Sequence, residues 1–217
     1  QRRLVVWNNH SKVIGILCQL ATDRFWSDEG IPAREYLKEQ RGISEDSIYE
    51  FHYGLWPKQD LLHDALKKSG CEIPWWCQGN RLDQYTGSIV IPWWDANGFI
   101  LSVYVARTEA KKDRDRSKSH KESIPNPRMS KDEPDIEKGK QSPLYFDLAR
   151  KGGNRDIVLV EGVFDAAVLR DKGDKRVVAC VGSQLSGAQI DTLVRYRVRS
   201  VTIVLDPDKA GQNGTVS

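Results

Sequence analysis

Apolar and polar positions follow three different rhythms along this chain. Over residues 12–29, Val13, Leu17, Leu20 and Ala21 recur at the spacing of one helix face, which predicts a helix. A second helix is predicted over about residues 33–41, opened by Pro32 and closed by Gly42 just past its end, and a third over about residues 45–51. Residues 88–92 and 99–106 read instead as strands, joined by Asp95-Ala96-Asn97-Gly98, a hairpin-turn sequence. Residues 107–142 are dense in charge, poor in aliphatic side chains and interrupted by prolines at 125, 127 and 134. Beyond them, continuous apolar runs at 157–160, 177–181 and 200–205 alternate with helical patterns at 165–171 and 188–196. Apolar strands joined through helices imply a parallel sheet covered on both faces.

The pattern divides the chain into an α+β amino-terminal part (residues 1–106, helices plus a β-hairpin), a charged insertion or linker (107–142) and an α/β part with a mainly parallel sheet (143–217). The last is expected to be truncated at its carboxyl end. The chain starts without Met and stops inside an unfinished α/β unit, so a longer protein is expected. With 217 residues, 39% hydrophobic and 29% charged, the composition is that of a folded domain rather than a disordered one. No apolar run approaches the ~18 residues of a membrane span, and Gln1-Arg2-Arg3 does not begin a secretory signal, so a cytoplasmic, membrane-free protein is expected. The four cysteines form no CxxC pair and have no histidines at zinc-finger spacing; they read as buried free thiols, with no zinc within these residues.

Acidic residues stand where the apolar runs end. Val160 leads into Glu161-Gly162, and Leu205 into Asp206-Pro207-Asp208. In a parallel sheet these carboxyl ends gather at one edge, where open α/β folds bind ligands. Three carboxylates at close range repel unless a cation lies between them, and a hard, oxygen-loving ion such as Mg²⁺ or Mn²⁺ is the natural answer. Taken singly, a strand-end Glu is most often a helix-dipole carboxylate and Asp-Pro-Asp a turn; taken together they point to metal and phosphoryl chemistry. Residues 107–121 carry seven Lys/Arg against three acids, which reads equally as a solvated loop or as a guide for a nucleic-acid strand. Trp75-Trp76 and Trp93-Trp94 read mainly as core, with base stacking as the alternative. Gly182 to Gly187 lacks the Lys and Ser/Thr of a phosphate loop, so no triphosphatase motor is read here.

Three motifs carry a specific resemblance. Val160-Glu161-Gly162-Val163-Phe164-Asp165-Ala166 resembles the EGyxDa signature of TOPRIM domains in bacterial DnaG-type primases. Val181-Gly182-Ser183-Gln184-Leu185-Ser186 is similar to the turn after their second strand, and Asp206-Pro207-Asp208-Lys209-Ala210-Gly211 to their DgDxAG segment. Upstream, the stretch from Arg34 through Arg41-Gly42 and Phe51 to Gly54 resembles the amino-terminal basic subdomain of these primases. Ile91-Pro92 through Asp95, Gly98 and Arg107 resembles their hairpin, and Ser142-Pro143-Leu144-Tyr145 the approach to the TOPRIM core. The likeness covers roughly residues 30–217. Pro207 stands where the family has glycine, and its PKYlNS segment is reduced to Pro127-Arg128-Met129-Ser130.

The resemblance implies a primase core that makes short RNA primers on single-stranded DNA from ribonucleoside triphosphates, with Mg²⁺ or Mn²⁺ as cofactor and a replicative helicase, separate or fused, as partner. Its setting would be a primase–helicase of a phage, plasmid or mobile element. It also implies Glu161 as the catalytic acid, Glu161, Asp206 and Asp208 as metal ligands, and Arg41, Arg107, Arg128, Lys138, Lys140 and Lys209 along the template or nucleotide path. Two other readings stay open: a different TOPRIM enzyme, nuclease or topoisomerase, and a non-catalytic nucleic-acid-binding or helicase-associated module.

Overall fold

The computed structural model describes residues 2–80, 82–107, 121–124, 142–182 and 184–205. The amino-terminal part opens with helix α1 (Arg2–Phe25), which starts earlier than the periodicity implies and ends four residues sooner, giving way to a short turn at Asp28–Gly30. Helix α2 (Ile31–Glu35) begins at a proline-bearing first turn and continues as a wider π-helical turn over Tyr36–Gln40. Arg41 ends it, and Gly42 follows at φ 68°, in the left-handed conformation expected of a closing glycine. Helix α3 (Glu45–Glu50) is capped by Ser44, whose hydroxyl accepts from the Ser47 amide. Helix α4 (Gln59–Lys68) buries Leu62 and Leu66.

Four strands form an antiparallel sheet in the order β1 (Gly54–Leu55), β2 (Ile89–Trp94), β3 (Ile100–Ala106) and β4 (Lys121–Ile124). β2 and β3 pair through the expected hairpin: Asp95 Oδ1 accepts from the Asn97 and Phe99 amides, and Gly98 takes φ 86°, which a side chain would resist. Pro92 is tolerated inside β2 because β1 pairs only with Ile89 and Val90, leaving that flank of the strand without a ladder to break. Lys121–Ile124 is an element that hydropathy does not announce. It adds a strand to β3 and buries Ile124 completely, inside a stretch read as loop.

This antiparallel sheet is covered on both faces, and alternation along β2 assigns its side chains to two cores. Ile89, Ile91 and Trp93 belong to the core shared with Phe51, Tyr53, Tyr145, Val160, Phe164 and Ala179. Val90, with Val103, Val105 and Ile124, belongs to the core under α1 and α4, alongside Leu17, Trp56 and Trp76. Two-sided burial explains why the strand reads as nearly continuous apolar sequence although its pairing is antiparallel.

The carboxyl-terminal part is a parallel sheet in the order β6 (Val177–Ala179), β5 (Asp156–Val160) and β7 (Ser200–Val204), as the alternating pattern predicts. Helices α5 (Phe146–Lys151), α6 (Val163–Asp171) and α7 (Gly187–Arg195) accompany it, α7 opened by a capping box between Ser186 and Gln189. Leu144 extends the sheet by one bridge to Ala179. Coverage on both faces holds for β5 and β6 but not for β7, where Ile203 and Val204 are about half exposed among the described residues.

Specific contacts join the two parts. The indole Nε1–H of the fully buried Trp93 donates to the Ser142 carbonyl at 2.8 Å. The Tyr53 and Tyr145 hydroxyls share a buried hydrogen bond of 2.5 Å, and burial pushes both phenols upward in pKa. Within the carboxyl-terminal part, the buried Arg170 donates from Nη1 to the Lys175 and Val177 carbonyls, both at 2.9 Å, and burial lowers its pKa. Asp171 accepts from the Ser44 amide at 2.9 Å and from the Ser44 hydroxyl, tying the end of α6 to the cap of α3. Burial alone would raise the Asp171 pKa, but hydrogen bonds from Ser44, Ser47 and Lys172 together outweigh it and hold the carboxylate well below its ordinary range.

Two stability predictions follow from these junctions. Trp93→Phe keeps most of the packing but orphans the Ser142 carbonyl, so urea unfolding should report a loss of about 1–2 kcal/mol, against about 3–5 for Trp93→Ala. Asp171→Ala should cost about 1–2 kcal/mol at pH 7. Because the folded-state pKa of Asp171 is depressed, its contribution is present above the ordinary carboxylate pKa of about 4 and fades as pH falls below it. Wild type and variant should therefore converge in acid; a gap that widens there would rule out this role.

Candidate active site at the carboxyl edge of the parallel sheet

Glu161 is the first residue after the central strand β5, at its carboxyl end. Its position is fixed by the chain opposite. The Cys180 amide donates to the Val160 carbonyl at 3.0 Å and the Val181 amide to the Glu161 carbonyl at 3.1 Å. Val181 adopts φ 57° to do so, a left-handed conformation that a β-branched residue resists. Such strain, of order 1–3 kcal/mol, persists only where the surroundings enforce it and gathers at functional sites. The Glu161 side chain is half-buried, with Oε2 shielded from solvent.

Gly162 caps α6, and the reason for glycine is spatial. A Cβ at this position would lie 2.0 Å from Asp165 Oδ2, because the Asp165 carboxylate folds back over the turn. The local sequence thus brings a second acid, exposed and on the first turn of α6, against the residue beside Glu161. Its oxygens also face the positive end of the helix.

Arg41 reaches the same turn from the amino-terminal part. Its guanidinium lies 4.8 Å from the Phe164 ring centroid and 5.3 Å from that of Tyr36, and its Nε–H donates to the Tyr36 hydroxyl at 2.8 Å. The wide turn at Tyr36–Gln40 ends at Arg41, so the irregular winding sets the angle at which this cation meets α6. Arg107, at the end of β3, lies over the Tyr85 ring at 5.8 Å and near Gln84, among residues of the amino-terminal part.

Of the residues singled out from sequence, Glu161 and Arg41 are brought to one turn. Asp206, Asp208, Lys209, Arg128, Lys138 and Lys140 lie outside the described residues. β7 runs parallel to β5 with Val204 beside Val160, so the chain heads toward the Glu161 edge as it enters Leu205. Among the described residues, no three His, Cys, Asp or Glu side chains group as a metal site, and no helix is long and apolar enough to cross a membrane. The sequence reading does not name Asp165, Phe164 or Val181 as site residues. Asp165 and Phe164 stand inside the EGyxDa-like motif, whereas nothing in the sequence marks Val181 as strained. Trp76 and Trp93 are buried as expected of core residues; Trp75 and Trp94 are half-buried.

Comparison with known proteins accords with this arrangement. Residues 155–216 match the Toprim domain family. The DNA primase of Staphylococcus aureus (strain COL) is 31% identical over 202 residues, covering 87% of this chain and 31% of the relative, so the chain spans about a third of the length of the curated relatives it matches. The RNA polymerase domain of Mycobacterium tuberculosis primase DnaG superposes with a TM-score of 0.71 at 21% identity, over 95% of this chain and 70% of that one. A DnaG primase catalytic domain bound to ssDNA superposes with a TM-score of 0.71 at 19% identity, over 96% and 64%. The chain is therefore a relative of the bacterial DnaG-type primases, with a Toprim domain toward its carboxyl end and the fold of their catalytic core.

Proposed function

We propose that this chain is the RNA-polymerase core of a DnaG-type primase, a nucleotidyltransferase that joins ribonucleotides on a single-stranded DNA template. The observation that carries the reading is the turn after β5, where Glu161 is locked by the strained Val181 while Arg41 arrives from the amino-terminal part. An acid and a phosphate-binding cation on one rigid turn suit phosphoryl transfer, in which positioning and electrostatics do most of the work.

The donor chemistry at this turn fits a hard divalent cation. Glu161 supplies carboxylate oxygen from a half-buried site, and Asp165 stands one helical turn on. Glu161, Asp206 and Asp208 would hold Mg²⁺ or Mn²⁺. Bound there, the ion would neutralise triphosphate charge and favour attack by the primer 3′-hydroxyl. Arg41, fixed by Tyr36 and Phe164, would contact phosphate without first having to be ordered. Arg107, Arg128, Lys138, Lys140 and Lys209 would continue the path of the template or nucleotide. In this reading residues 1–106 form the basic subdomain, 107–142 a charged insertion that guides DNA, and 143–217 the Toprim domain. A replicative helicase would unwind the duplex ahead of it.

Primer synthesis on single-stranded DNA with ribonucleotides and Mg²⁺ or Mn²⁺ tests the proposal. Wild type should yield short RNA. Glu161→Gln should lower the yield at least about a hundredfold, the scale of losing a preorganised electrostatic group, while DNA affinity stays nearly unchanged. Primers made normally by the variant would sink the mechanism, and cleaved or relaxed DNA in place of primers would move the chain to another Toprim chemistry. Arg41→Ala should weaken DNA binding at all sequences alike and reduce the salt dependence by about one phosphate contact. An unchanged salt slope would remove Arg41 from the path.

A further inference from the structure

The start of helix α7 is tied to the turn that holds Glu161. Ser186 and Gln189 form the capping box of this helix: the Gln189 backbone N–H donates to Ser186 Oγ at 3.2 Å, and Gln189 Oε1 accepts from the Ser186 backbone N–H at 2.9 Å. Glutamate would serve such a box equally well. Gln189, however, has a second partner, since its Nε2 donates to the Cys180 carbonyl at 3.2 Å. A donor on one side and an acceptor on the other fix which way the side-chain amide faces, and an ionised glutamate could not make the second bond. The side chain is completely buried, so solvent does not compete for either partner.

The Cys180 carbonyl and the Val181 N–H belong to one planar peptide unit. Its oxygen accepts from Gln189, while its N–H donates to the Glu161 carbonyl at 3.1 Å. Gln189 and the backbone of Glu161 are thus joined through a single rigid group. The Cys180 N–H just before it donates to the Val160 carbonyl at 3.0 Å, which keeps the unit from shifting along β5. Val181 then takes φ 57°. A β-branched residue left to itself would leave that conformation, and the peptide unit would turn with it. Anchoring at both its oxygen and its nitrogen opposes the turn.

We propose that Gln189 is a positioning residue for the metal edge: its side-chain amide holds the Cys180–Val181 peptide, and that peptide holds the backbone from which the Glu161 carboxylate reaches a divalent cation. The inference rests on the reading of Glu161 as a metal ligand. Groups that orient a ligand are worth about ten- to a hundredfold in metal affinity. Gln189 acts through one intervening peptide unit, so the low end of that range applies to it.

Amide hydrogen exchange and calorimetric titration with Mn²⁺, both on the full chain, test the proposal. In the wild type the Val181 amide should be protected about as well as those of β5. Gln189→Met keeps the length and neutrality of the side chain but removes both of its hydrogen bonds. Val181 should then exchange about tenfold faster, the scale of one lost hydrogen bond, with β5 unchanged. Mn²⁺ should bind the same variant about tenfold more weakly. Ser186→Ala breaks the other half of the capping box and should leave both readouts at wild-type values. An unprotected Val181 amide in the wild type would overturn the proposal even if Gln189→Met failed to fold. Equal acceleration at Val181 and β5 would mark a merely structural glutamine; unaltered Mn²⁺ affinity in Gln189→Met, or the same losses in Ser186→Ala, would also overturn the proposal. A wild-type chain that binds no Mn²⁺ while Val181 stays protected would sink the metal edge itself, and this proposal with it.

Discussion

Burial of β2 on both faces is the constraint from which the rest of the molecule is built. A strand covered on one side could anchor one domain; this one anchors two. Ile89, Ile91 and Trp93 enter the core that contains Val160 and Phe164, while Val90 faces α1 and α4. Because side chains alternate strictly along a strand, a one-residue slip would exchange the two cores at once. The register is held by the hairpin turn, where Asp95 gathers the Asn97 and Phe99 amides, and by the buried Trp93 indole on the Ser142 carbonyl. The relation between the amino-terminal part and the parallel sheet is therefore fixed by packing that cannot slide, and the Arg41 guanidinium of one part is held over the Phe164 ring of the other.

Arg41 and Glu161 depend on that rigidity in different ways. Glu161 is placed locally, by the end of β5 and the amide of Val181 across from it. Arg41 is placed at long range. The π-helical turn, the Tyr36 hydroxyl and the Phe164 ring each remove some of the freedom of a long side chain, so its charge meets the first turn of α6 already ordered. The Ser44–Asp171 contact adds a second tie between the same two stretches, at the far end of α6. A helix held at both ends against its neighbour is a firm platform for the acid that precedes it.

Much of this was legible in the sequence, for physical reasons. The three apolar runs of the carboxyl-terminal part declare a parallel sheet because strands buried on both sides leave no polar alternation, and Glu161 is marked by standing where such a run stops. The hairpin is carried by Asp95 and Gly98, whose turn chemistry is local. What could not be read depends on contacts distant in sequence. Lys121–Ile124 has the composition of a loop and becomes a strand because β3 offers it an edge. The strain at Val181 arises from its bond to Glu161, twenty residues earlier. The exposure of β7 contradicts a rule that holds for its neighbours, since hydropathy records that Ile203 and Val204 are apolar but not what lies against them.

Asp147 and Asp171 show how far environment, rather than residue type, decides what an acid does. Both belong to short helices of the same part of the chain, and a sequence reading would treat either as an ordinary helix carboxylate. Asp171 ends a helix and is met by the hydroxyl and amide of Ser44, so hydrogen bonds outweigh its burial and its carboxylate is held charged. Asp147 begins one and is met mainly by aromatic and aliphatic walls, so burial outweighs its ion pair and its charge is disfavoured. The first acid completes a junction between α6 and the cap of α3. The second stands at the start of α5 with Lys151 as its ion-pair partner, and there burial tips the balance the other way.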